Sequence, residues 1–479
     1  MMRKATYLLG LLLFSLTSVA HQPTVAGASG GRGAAAQTRG LHDLQQDFVD
    51  LRFGMFIHFN MPTFQEADWP DPQAPASSFN PTGLDCRQWA KAAKSAGMTY
   101  GCLTTKHHSG FCIWDTKTTD YNVMNSPLRR DVVREYTDAF RKEGLKTMLY
   151  YSILDTHHDL RPHHITRRHI QMIKDQLTEL LTNYGEITAL VIDGWDAPWS
   201  RISYDDVPFE DIYRLIKRLQ PNCLVMDLNA AKYPREALFY TDIKSYEQGA
   251  GQKIDPNANQ LPALACLSLQ RTWFWKQSFP NDKLKSPEWL VNENINPYGK
   301  AHCNFILNVA PNNKGLIDDN ALKALKEIGR LYKERGHVAD IEPTDAQVIS
   351  QNIAKNQPAY SSWSDDYAIS DFGNDDDFGS CWRSSPTVAN PWYAVELNRE
   401  KPFNMVVLTA PEGTSAPSYT LSCRREGKWV PVADGKETRS GRVSILRFPT
   451  VWGDAVRVSF SGQPAQVSVA ELGVYNERR

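Results

Sequence analysis

Short apolar runs alternate with amphipathic segments from about residue 50 to residue 336 of this 479-residue chain. The run Ala189–Ile192 follows the helical segment Arg167–Asn183, and the run Leu224–Asp227 follows the helical segment Phe209–Leu219. Apolar runs without polar alternation predict strands buried on both faces, as in a parallel sheet covered by helices. About eight such units over roughly 290 residues predict a (β/α)8-like barrel.

An open, doubly wound sheet is the alternative arrangement, but no glycine-rich phosphate-binding loop follows the first predicted strand. The predicted strands are Phe53–Phe59, Tyr100–Thr104, Lys146–Tyr151, Ala189–Ile192, Leu224–Asp227, Leu238–Asp242, Gln270–Phe274 and Asn304–Val309. The predicted helices are Cys86–Ala96, Val132–Glu143, Arg167–Asn183, Phe209–Leu219 and Ala321–Arg335.

The sequence pattern changes after Gly336, where short β-type runs separated by turn residues replace the helical period. These runs are Met405–Leu408, Tyr419–Ser422, Val443–Leu446 and Ala455–Phe460. Such a series predicts an antiparallel β-sandwich. The expected fold class is therefore α/β, with a barrel domain over residues 41–338 followed by a β-sandwich over residues 339–479.

The N-terminal segment predicts export. A basic start at Arg3 is followed by the apolar stretch Tyr7–Phe14 and by the small residues Ser18–Ala20, the usual order in a secretory signal peptide. The predicted signal peptide covers residues 1–20, and a Gly- and Ala-rich flexible leader covers residues 21–40. The mature protein is therefore expected in the periplasm or outside the cell.

Charge and cysteine content exclude several classes of partner. The net charge is −1, from 53 basic and 54 acidic residues, which gives no electrostatic basis for binding nucleic acid or an anionic membrane surface. The N-terminal apolar stretch is too short to insert as a stable membrane anchor. The eight cysteines include no Cys-x-x-Cys pair, so a zinc knuckle or a redox motif is not predicted.

Polar and aromatic side chains follow the predicted barrel strands at their carboxyl ends, where such barrels place their sites. In chain order these residues are His58, Lys106, His107, His108, Tyr150, Tyr151, Ser152, Asp155, Asp193, Asp227, Tyr246, Glu247, Trp273 and Trp275. Asp193 is the most informative, because it directly follows the buried run Ala189–Ile192. A carboxylate in that position is poorly solvated and fixed in place, as a nucleophile or an acid/base group must be.

Two chemistries compete for this set of residues. One is a hydrolytic metal site with His58, His107, His108 and Asp193 as ligands. The adjacent histidines argue against it, because neighbouring residues that leave a strand are expected to point in different directions, and no His-x-His or His-Glu-x-x-His motif is present. The other is glycoside hydrolysis by two carboxyl groups, with neutral histidines and tyrosines bound to sugar hydroxyls and with no metal or cofactor.

Several motifs resemble the α-L-fucosidases of glycoside hydrolase family 29. They occur in the order and spacing of that family over about residues 48 to 336. These motifs are Phe53–Phe59, Leu103–Asp115, Thr118–Tyr121, Leu149–Ser152 and Phe305–Pro311. Two positions depart from the pattern, since Val191 and Ser109 stand where the family often has Trp and Asp.

The resemblance implies specific roles for the candidate residues. It makes Asp193 the nucleophile and places Trp69 near the fucose ring. The residues that would hold the ring hydroxyls are His58, His107, His108 and Tyr151. Trp273 or Trp275 would pack against the methyl side of the sugar. The general acid/base lies in a variable region of the family; Glu247 is predicted, with Glu288 and Asp242 as alternatives.

The function implied is that of an exported, retaining α-L-fucosidase that removes terminal α-L-fucose from fucosylated oligosaccharides or glycoconjugates. Three alternatives stay open: a barrel glycosidase for another sugar such as galactose, an inactive fucose-binding protein, and a metal-dependent hydrolase. The C-terminal region resembles galactose-binding-like sandwiches at Trp382, Pro391–Leu397 and Val467–Tyr475. Such a domain either binds glycan or supports the barrel.

Overall fold

A computed structural model describes residues 38–195, 197, 199–229, 231, 238, 241–342, 351–365, 367–438, 441–461 and 466–476. The predicted signal peptide (1–20) and the leader up to residue 37 lie outside these residues. Within the described ranges, no helix combines the length and the apolar character needed to cross a membrane.

Eight parallel strands form the barrel. They are β1 Phe53–Ile57, β2 Tyr100–Lys106, β3 Lys146–Ser152, β4 Ala189–Asp193, β5 Leu224–Asp227, β6 Lys244–Glu247, β7 Ala263–Ser268 and β8 Cys303–Asn308. They pair in the order β5-β4-β3-β2-β1-β8-β7-β6. Between the two ends of this order, Thr241 Oγ1 donates to the Val225 carbonyl at 3.1 Å, and the Val225 N–H donates to Asp242 Oδ2 at 2.8 Å. These bonds bring β5 and β6 together and nearly close the barrel.

Helices pack around the barrel and across the end where the strands begin. They are α1 Leu41–Asp50, α2 Pro62–Gln65, α3 Cys86–Ser95, α4 Val132–Lys142, α5 Arg167–Asn183, α6 Phe209–Leu219, α7 Pro287–Leu290, α8 Asn296–Lys300 and α9 Asp319–Leu331. Local sequence sets where several of them begin. The side chain of Asp131 accepts the Arg134 N–H at 2.8 Å, and the side chain of Thr166 caps α5 in the same way.

The barrel strands alternate between two hydrophobic clusters. One cluster draws side chains from strands all around the barrel, including Phe56, Tyr150 and Met226, and it also contains Leu44 and Phe48 of α1. It is therefore the barrel interior, and α1 closes the end where the strands begin. The second cluster packs the outward side chains against the covering helices. With one end of the interior closed, the site is confined to the carboxyl end of the strands.

The predicted fold class is confirmed, but two predicted strands are wrong. The predicted strand Leu238–Asp242 falls partly outside the described residues, at 239 and 240, and the sixth strand is Lys244–Glu247. Gln270–Phe274 is not a strand; it belongs to the connection that follows β7, Ala263–Ser268. The sequence of β7 is Ala-Leu-Ala-Cys-Leu-Ser, which lacks the β-branched and aromatic residues that usually mark a strand.

The C-terminal region is an antiparallel sheet domain, as predicted. Its strands are β9 Ala359–Ser361, β10 Trp382–Arg383, β11 Trp392–Thr409, β12 Tyr419–Arg425, β13 Lys428–Gly435, β14 Val443–Ser459, β15 Ser468–Val469 and β16 Glu471–Tyr475. The main sheet has the order β13-β12-β14-β11-β16, and β10 pairs with β15. Irregular register within β11, between Glu396 and Met405, divides this strand into two pairing regions.

One half of β11 joins the two parts of the protein. Met405 and Val407 of β11, with Tyr475 of β16, belong to the cluster that packs around the barrel helices. The intervening Val406, and Val474 beside Tyr475, belong to the core of the sheet domain itself. The described residues from Arg39 onward accordingly form one compact unit. The boundary at residues 338/339 stays a prediction.

Candidate active site

A cavity of about 250 Å³ lies at the carboxyl end of the barrel strands. It is walled by aromatic rings, imidazoles and carboxyl groups. The lining residues are Phe56, His58, Asp68, Trp69, His107, His108, Asp193, Trp199, Leu228, Glu247, Trp273 and Phe274. Seven of the nine residues predicted from the sequence to form the site are therefore brought together.

Asp193 ends β4 and is held by donors on both carboxylate oxygens. Tyr150 Oη donates to Oδ2 at 2.6 Å, while Asn229 Nδ2 at 3.1 Å and the Gly194 N–H at 2.7 Å donate to Oδ1. Gly194 has φ of +91°, a conformation that L side chains rarely adopt. This turn lets the chain leave the strand while its own N–H bonds back to the carboxylate. The arrangement fixes the orientation of Asp193 and stabilises its charge.

Glu247 ends β6 and lines the same cavity. Burial, followed by the charge of Asp193, raises the pKa of Glu247 from 4.5 to about 7, although a hydrogen bond from Trp273 opposes the change. When the surroundings of two neighbouring carboxyl groups favour the charged form of one and the protonated form of the other, the pair usually acts as a base and an acid. The cavity therefore holds one carboxylate fixed by three donors and one carboxyl group that keeps its proton up to a pH of about 7.

The alternative carboxyl groups lie elsewhere. Glu288 is at the start of α7, where its side chain accepts from Ser286 Oγ at 2.8 Å, and it does not line the cavity. Asp242 is fully buried outside the barrel interior, where it accepts from Tyr213 Oη at 2.8 Å and pairs with Lys217 Nζ at 2.8 Å. The geometry thus favours Glu247 over both alternatives.

The hydrogen bonds of Asn308 set the tautomer of His58. Asn308 Nδ2 donates to the Trp273 carbonyl at 2.8 Å, so Asn308 Oδ1 is the atom that accepts from His58 Nδ1, at 2.8 Å. This leaves His58 Nε2 as an acceptor. Burial lowers the pKa of His58 to about 3, so the ring stays neutral over the ordinary pH range.

His108 has the same tautomer for a similar reason. Ser152 Oγ donates to the Leu154 carbonyl at 3.1 Å and accepts from His108 Nδ1 at 2.8 Å. His108 Nε2 is then an acceptor, 3.8 Å from Asp193 Oδ2. Burial lowers the pKa of His108 to about 4, although the charge of Asp193 acts in the opposite direction. Both imidazoles can accept hydrogen bonds from sugar hydroxyls.

The expectation that His107 and His108 point in different directions is wrong. Their ring centroids are 3.9 Å apart and both rings line the cavity. The reason is a bulge in β2, since Thr104 pairs with Tyr150 and Lys106 pairs with Tyr151, which leaves Thr105 extra. Burial and the neighbouring histidines hold the pKa of His107 well below its usual value.

The bulge also directs Lys106 out of the barrel interior, into a buried ion pair. Lys106 Nζ lies 3.3 Å from Asp155 Oδ2 and 4.4 Å from the centre of the Tyr151 ring. His158 Nδ1 bonds to the same carboxylate at 2.8 Å. Burial alone would raise the pKa of Asp155, but Lys106 and His158 together hold it below its usual value. This ion pair joins the end of β2, next to the histidine pair, to the loop after β3.

Two predicted site residues are not in the cavity. Tyr151 points outward and donates to Gln176 Oε1 at 2.6 Å, and Tyr150 takes the inward position next to Asp193. Trp275 donates from Nε1 to Asp318 Oδ2 at 2.8 Å and packs with Phe279, whereas Trp273 lines the cavity. For the tyrosines the cause is alternation along β3, which sends adjacent residues to opposite faces. Trp273 and Trp275 lie in the irregular connection after β7, where no strand period applies.

The rim is formed by two exposed tryptophans. Trp69 stacks on His108 with ring centroids 4.8 Å apart and meets the edge of Trp199 at 5.5 Å. Lys276 Nζ donates to the Glu66 carbonyl at 2.6 Å and ties the segment that carries Trp69 to the connection after β7. Sequence reasoning missed Trp199 and Asn229. Trp199 closely follows the β4 carboxylate, and that proximity was the available signal.

The site matches one of the two chemistries proposed from the sequence. Neutral acceptors, indole faces and two carboxyl groups in a small cavity suit a sugar ring whose glycosidic bond is to be cleaved. In the described part of the chain, no three or more His, Cys, Asp or Glu side chains are grouped so that they could hold one metal ion. Barrel and site together define a glycoside hydrolase.

Comparison with known proteins identifies the family. The α-L-fucosidase family model matches residues 33–337, and a model of the NedA-like galactose-binding domain matches residues 372–458. The chain is 30% identical over 425 residues to α-L-fucosidase 1 of Arabidopsis thaliana, covering 83% of this chain and 79% of that protein. It is 27% identical to putative α-L-fucosidase 1 of Oryza sativa subsp. japonica, covering 88% and 82%.

A solved structure shares the fold. The α-L-fucosidase isoenzyme 1 from Paenibacillus thiaminolyticus superimposes with a TM-score of 0.52 at 24% identity, over 91% of this chain and 100% of that one. From the family match, the chain belongs to the α-L-fucosidases of glycoside hydrolase family 29. It is accordingly a fucose-hydrolysing glycosidase whose substrate is a fucosylated glycan.

Proposed function

We propose that this chain is an exported, retaining α-L-fucosidase in which Asp193 is the nucleophile and Glu247 is the general acid/base. One observation carries the proposal. Both carboxyl groups line a single cavity, and the surroundings of Asp193 favour its charged form, whereas those of Glu247 favour its protonated form. Asp193 receives three hydrogen bonds that stabilise an anion, whereas burial beside Asp193 raises the pKa of Glu247 to about 7. A nucleophile and an acid need those two states at the start of the reaction.

The reaction follows from these protonation states. The Asp193 carboxylate attacks the anomeric carbon while Glu247 gives its proton to the glycosidic oxygen, so the aglycone leaves as an alcohol and fucose is esterified to Asp193. Water then attacks the same carbon from the other face, and the Glu247 carboxylate removes its proton. The ester bond breaks, Asp193 is restored, and two inversions give fucose of the starting configuration.

The remaining cavity residues position the sugar. His58 and His108 are neutral and offer Nε2 acceptors to ring hydroxyls. Trp273 and Phe274 offer apolar surface suited to a methyl group or to C–H faces. These groups are rigid, because Asn308, Ser152 and the strand ends hold them before substrate arrives, which reduces the ordering cost of binding.

Azide rescue tests both roles through product stereochemistry. Asp193→Ala should lose about 10⁴-fold or more in kcat, and azide should restore turnover by one displacement, giving β-fucosyl azide. Glu247→Ala should keep its nucleophile and, with an activated aryl fucoside, give α-fucosyl azide by two displacements. Product anomers are read by NMR. Glu288→Gln, at a carboxyl group outside the cavity, is the matched control and should retain wild-type turnover.

Three outcomes would contradict the assignment. β-Fucose as the first product of the wild type would exclude the retaining course. If Glu288→Gln lost activity and Glu247→Ala kept wild-type activity on a substrate with a poor leaving group, the general acid/base would be Glu288 and not Glu247. Faster release of galactose from an aryl β-D-galactoside than of fucose from an aryl α-L-fucoside would make galactose the substrate sugar.

Export is supported by the basic, apolar and small-residue order of residues 1–20. Expression of the full chain in a bacterium with a periplasm should yield a periplasmic or secreted product that begins near residue 21. N-terminal sequencing of the mature product measures this directly. A cytoplasmic product that keeps its first residues would refute export and leave the catalytic assignment untouched.

A further inference from the structure

A second cavity, larger than the active-site cavity, lies on the same end of the barrel. Its volume is about 890 Å³, and it lies between the loop after β2, the loop after β3 and helix α5. It adjoins the active site through residues 69–72, because His157 Nδ1 bonds to the Pro72 carbonyl at 2.6 Å and Trp69 stands on the active-site rim. Three residues of chain span at most about 11 Å. A short oligosaccharide can therefore reach both cavities.

The walls of this second cavity are fixed by hydrogen bonds. His158 bonds to Thr119 Oγ1 through Nε2 at 2.8 Å and to Asp155 through Nδ1 at 2.8 Å. Gln176 Nε2 donates to Thr118 Oγ1 at 2.8 Å. The Asp155 carboxylate also holds Lys106 beneath the histidine pair of the active site. The cavity is thus preformed rather than a gap between loose loops, which lowers the cost of ordering a ligand there.

The chemistry of the lining suits a neutral, polyhydroxylated ligand. The half-buried His157 ring stacks on Tyr121, which is 5% exposed, with ring centroids 3.8 Å apart and an angle of 9°, so His157 is held flat as an aromatic surface in the wall. Arg168 supplies donors and Asp120 supplies acceptors. Carboxylates and cations are both present, so a strongly anionic ligand gains no net attraction. Aromatic surface beside alternating donors and acceptors is what a saccharide needs.

We propose that the second cavity is a carbohydrate subsite for the neutral saccharide chain to which the fucose is attached. This inference rests on the proposed function, because it takes fucose to be bound in the active-site cavity. The chain of sugars leaves that cavity past Trp69 and lies along the segment that ends at Pro72. It then meets the Tyr121–His157 pair and the polar groups of Asp120 and Arg168. The enzyme accordingly prefers fucosylated oligosaccharides to simple fucosides.

The test is a double variant of unchanged net charge, Asp120→Ala with Arg168→Ala. Its kcat/KM should fall about 30-fold with neutral fucosylated oligosaccharides of four to six sugars, which corresponds to the loss of two hydrogen bonds of about 1 kcal/mol each. With an aryl α-L-fucoside it should stay within about twofold of wild type. Asp138→Ala with Lys142→Ala, an exposed acid–base pair on α4, is the matched control and should change neither value.

A binding measurement separates this inference from the proposed function. The fucose-free form of the same oligosaccharide should bind the full chain in NMR saturation transfer, and the Asp120→Ala, Arg168→Ala variant should lose that binding. The subsite would be overturned if kcat/KM of the double variant fell equally with the oligosaccharides and with the aryl fucoside. It would also be overturned if kcat/KM did not fall with any oligosaccharide. Tighter binding of a sialylated chain would overturn its neutral specificity. A wild type that releases no fucose from the aryl fucoside would instead refute the proposed function, whatever the binding result.

Discussion

Two adjacent tyrosines at the end of β3 have opposite environments. Tyr150 faces the barrel interior and donates to Asp193, whereas Tyr151 faces the covering helices and donates to Gln176. Residues that follow one another on a strand point to opposite faces, so a shift of one position exchanges a site residue for a core residue. Tyr151 is therefore turned away from the sugar, and Tyr150, which is fully buried, acts on the reaction through Asp193.

Conservative substitutions distinguish the two tyrosines. Tyr150→Phe should lower kcat about 10- to 100-fold, because it removes a hydrogen bond to a charged group worth about 1.5–3 kcal/mol. Tyr151→Phe should leave kcat within about twofold and lower the free energy of unfolding by about 1 kcal/mol, since Gln176 loses a buried partner. Steady-state kinetics and urea denaturation measure the two effects. The reverse pattern would place Tyr151 at the substrate.

The acidity of Glu247 predicts the pH dependence of catalysis. The group must be protonated to donate to the leaving group, and burial near Asp193 raises its pKa to about 7. For a fucoside with a poor leaving group, kcat/KM should therefore fall as the pH rises through about 7. In Glu247→Gln this alkaline decline should disappear. An unchanged decline in that variant would assign it to another group.

The same pKa shift lowers stability at alkaline pH. Because the pKa is 4.5 when the group is solvated and about 7 in the fold, the unfolded chain releases this proton first as the pH rises. Stability is lost between these values, and Glu247→Gln should become more stable than the wild type by about 1–3 kcal/mol at pH 8. At pH 4 the difference should vanish. Denaturation at both pH values measures it.

At the scale of single elements, the bulge in β2 determines which side chains at the end of that strand face the cavity. It directs Lys106 outward to Asp155 and turns His107 into the cavity beside His108. The sequence gives no sign of the bulge, because Thr105 is an ordinary strand residue and the irregularity appears only against the neighbouring β3. Sequence reasoning could place the histidines at a strand end but could not determine their directions.

Loss of Lys106 should disrupt this element. Lys106→Met leaves the buried Asp155 carboxylate without its cation and should reduce the free energy of unfolding by about 3–5 kcal/mol. The double variant Lys106→Met, Asp155→Asn should recover much of that loss, since no buried charge is left unpaired. Equilibrium denaturation of the three proteins gives the coupling. If the losses in free energy of unfolding of the two single changes simply added in the double variant, Lys106 and Asp155 would not stabilise each other.

Element prediction succeeded where the apolar pattern was strong. The helices Arg167–Asn183 and Phe209–Leu219 and the strand Leu224–Asp227 have the predicted bounds. It failed for β6 and β7, whose short sequences contain Lys, Ser, Ala and Cys. These strands are held by their parallel neighbours and by burial in the barrel, and such tertiary contacts override local propensity. Glu247 was nevertheless found, because its position near a strand end does not depend on the precise bounds.

At the scale of the whole molecule, the sheet domain and the barrel are packed as one body. Alternate residues of β11 enter the two cores, with Val406 in the sheet domain and Val407 against the barrel helices. A change in the C-terminal sheet should therefore alter the heat resistance of the catalytic barrel. This fits a supporting role for the domain and leaves its other surfaces free for ligands.

A charge at this interface tests the coupling. Val407→Asp buries an unpaired carboxylate and should lower the temperature of half-inactivation of fucosidase activity by several degrees or more. Val430→Asp, at a position that is 38% exposed on the same sheet domain, is the control and should have little effect. Thermal inactivation followed by activity reports on the barrel alone. Equal behaviour of the two variants would show that the domains unfold independently.

The closure between β5 and β6 has a consequence for stereochemistry. Asp193 on β4 and Glu247 on β6 stand on either side of this junction, which is joined by Thr241 and Asp242. Retaining and inverting glycosidases differ mainly in the gap between their two carboxyl groups, about 5 Å against 6.5–9.5 Å. A change in length between these two strands would alter that gap while every other ladder stayed intact. The length of this junction is therefore expected to affect the separation of the two carboxyl groups and, through it, the anomeric outcome.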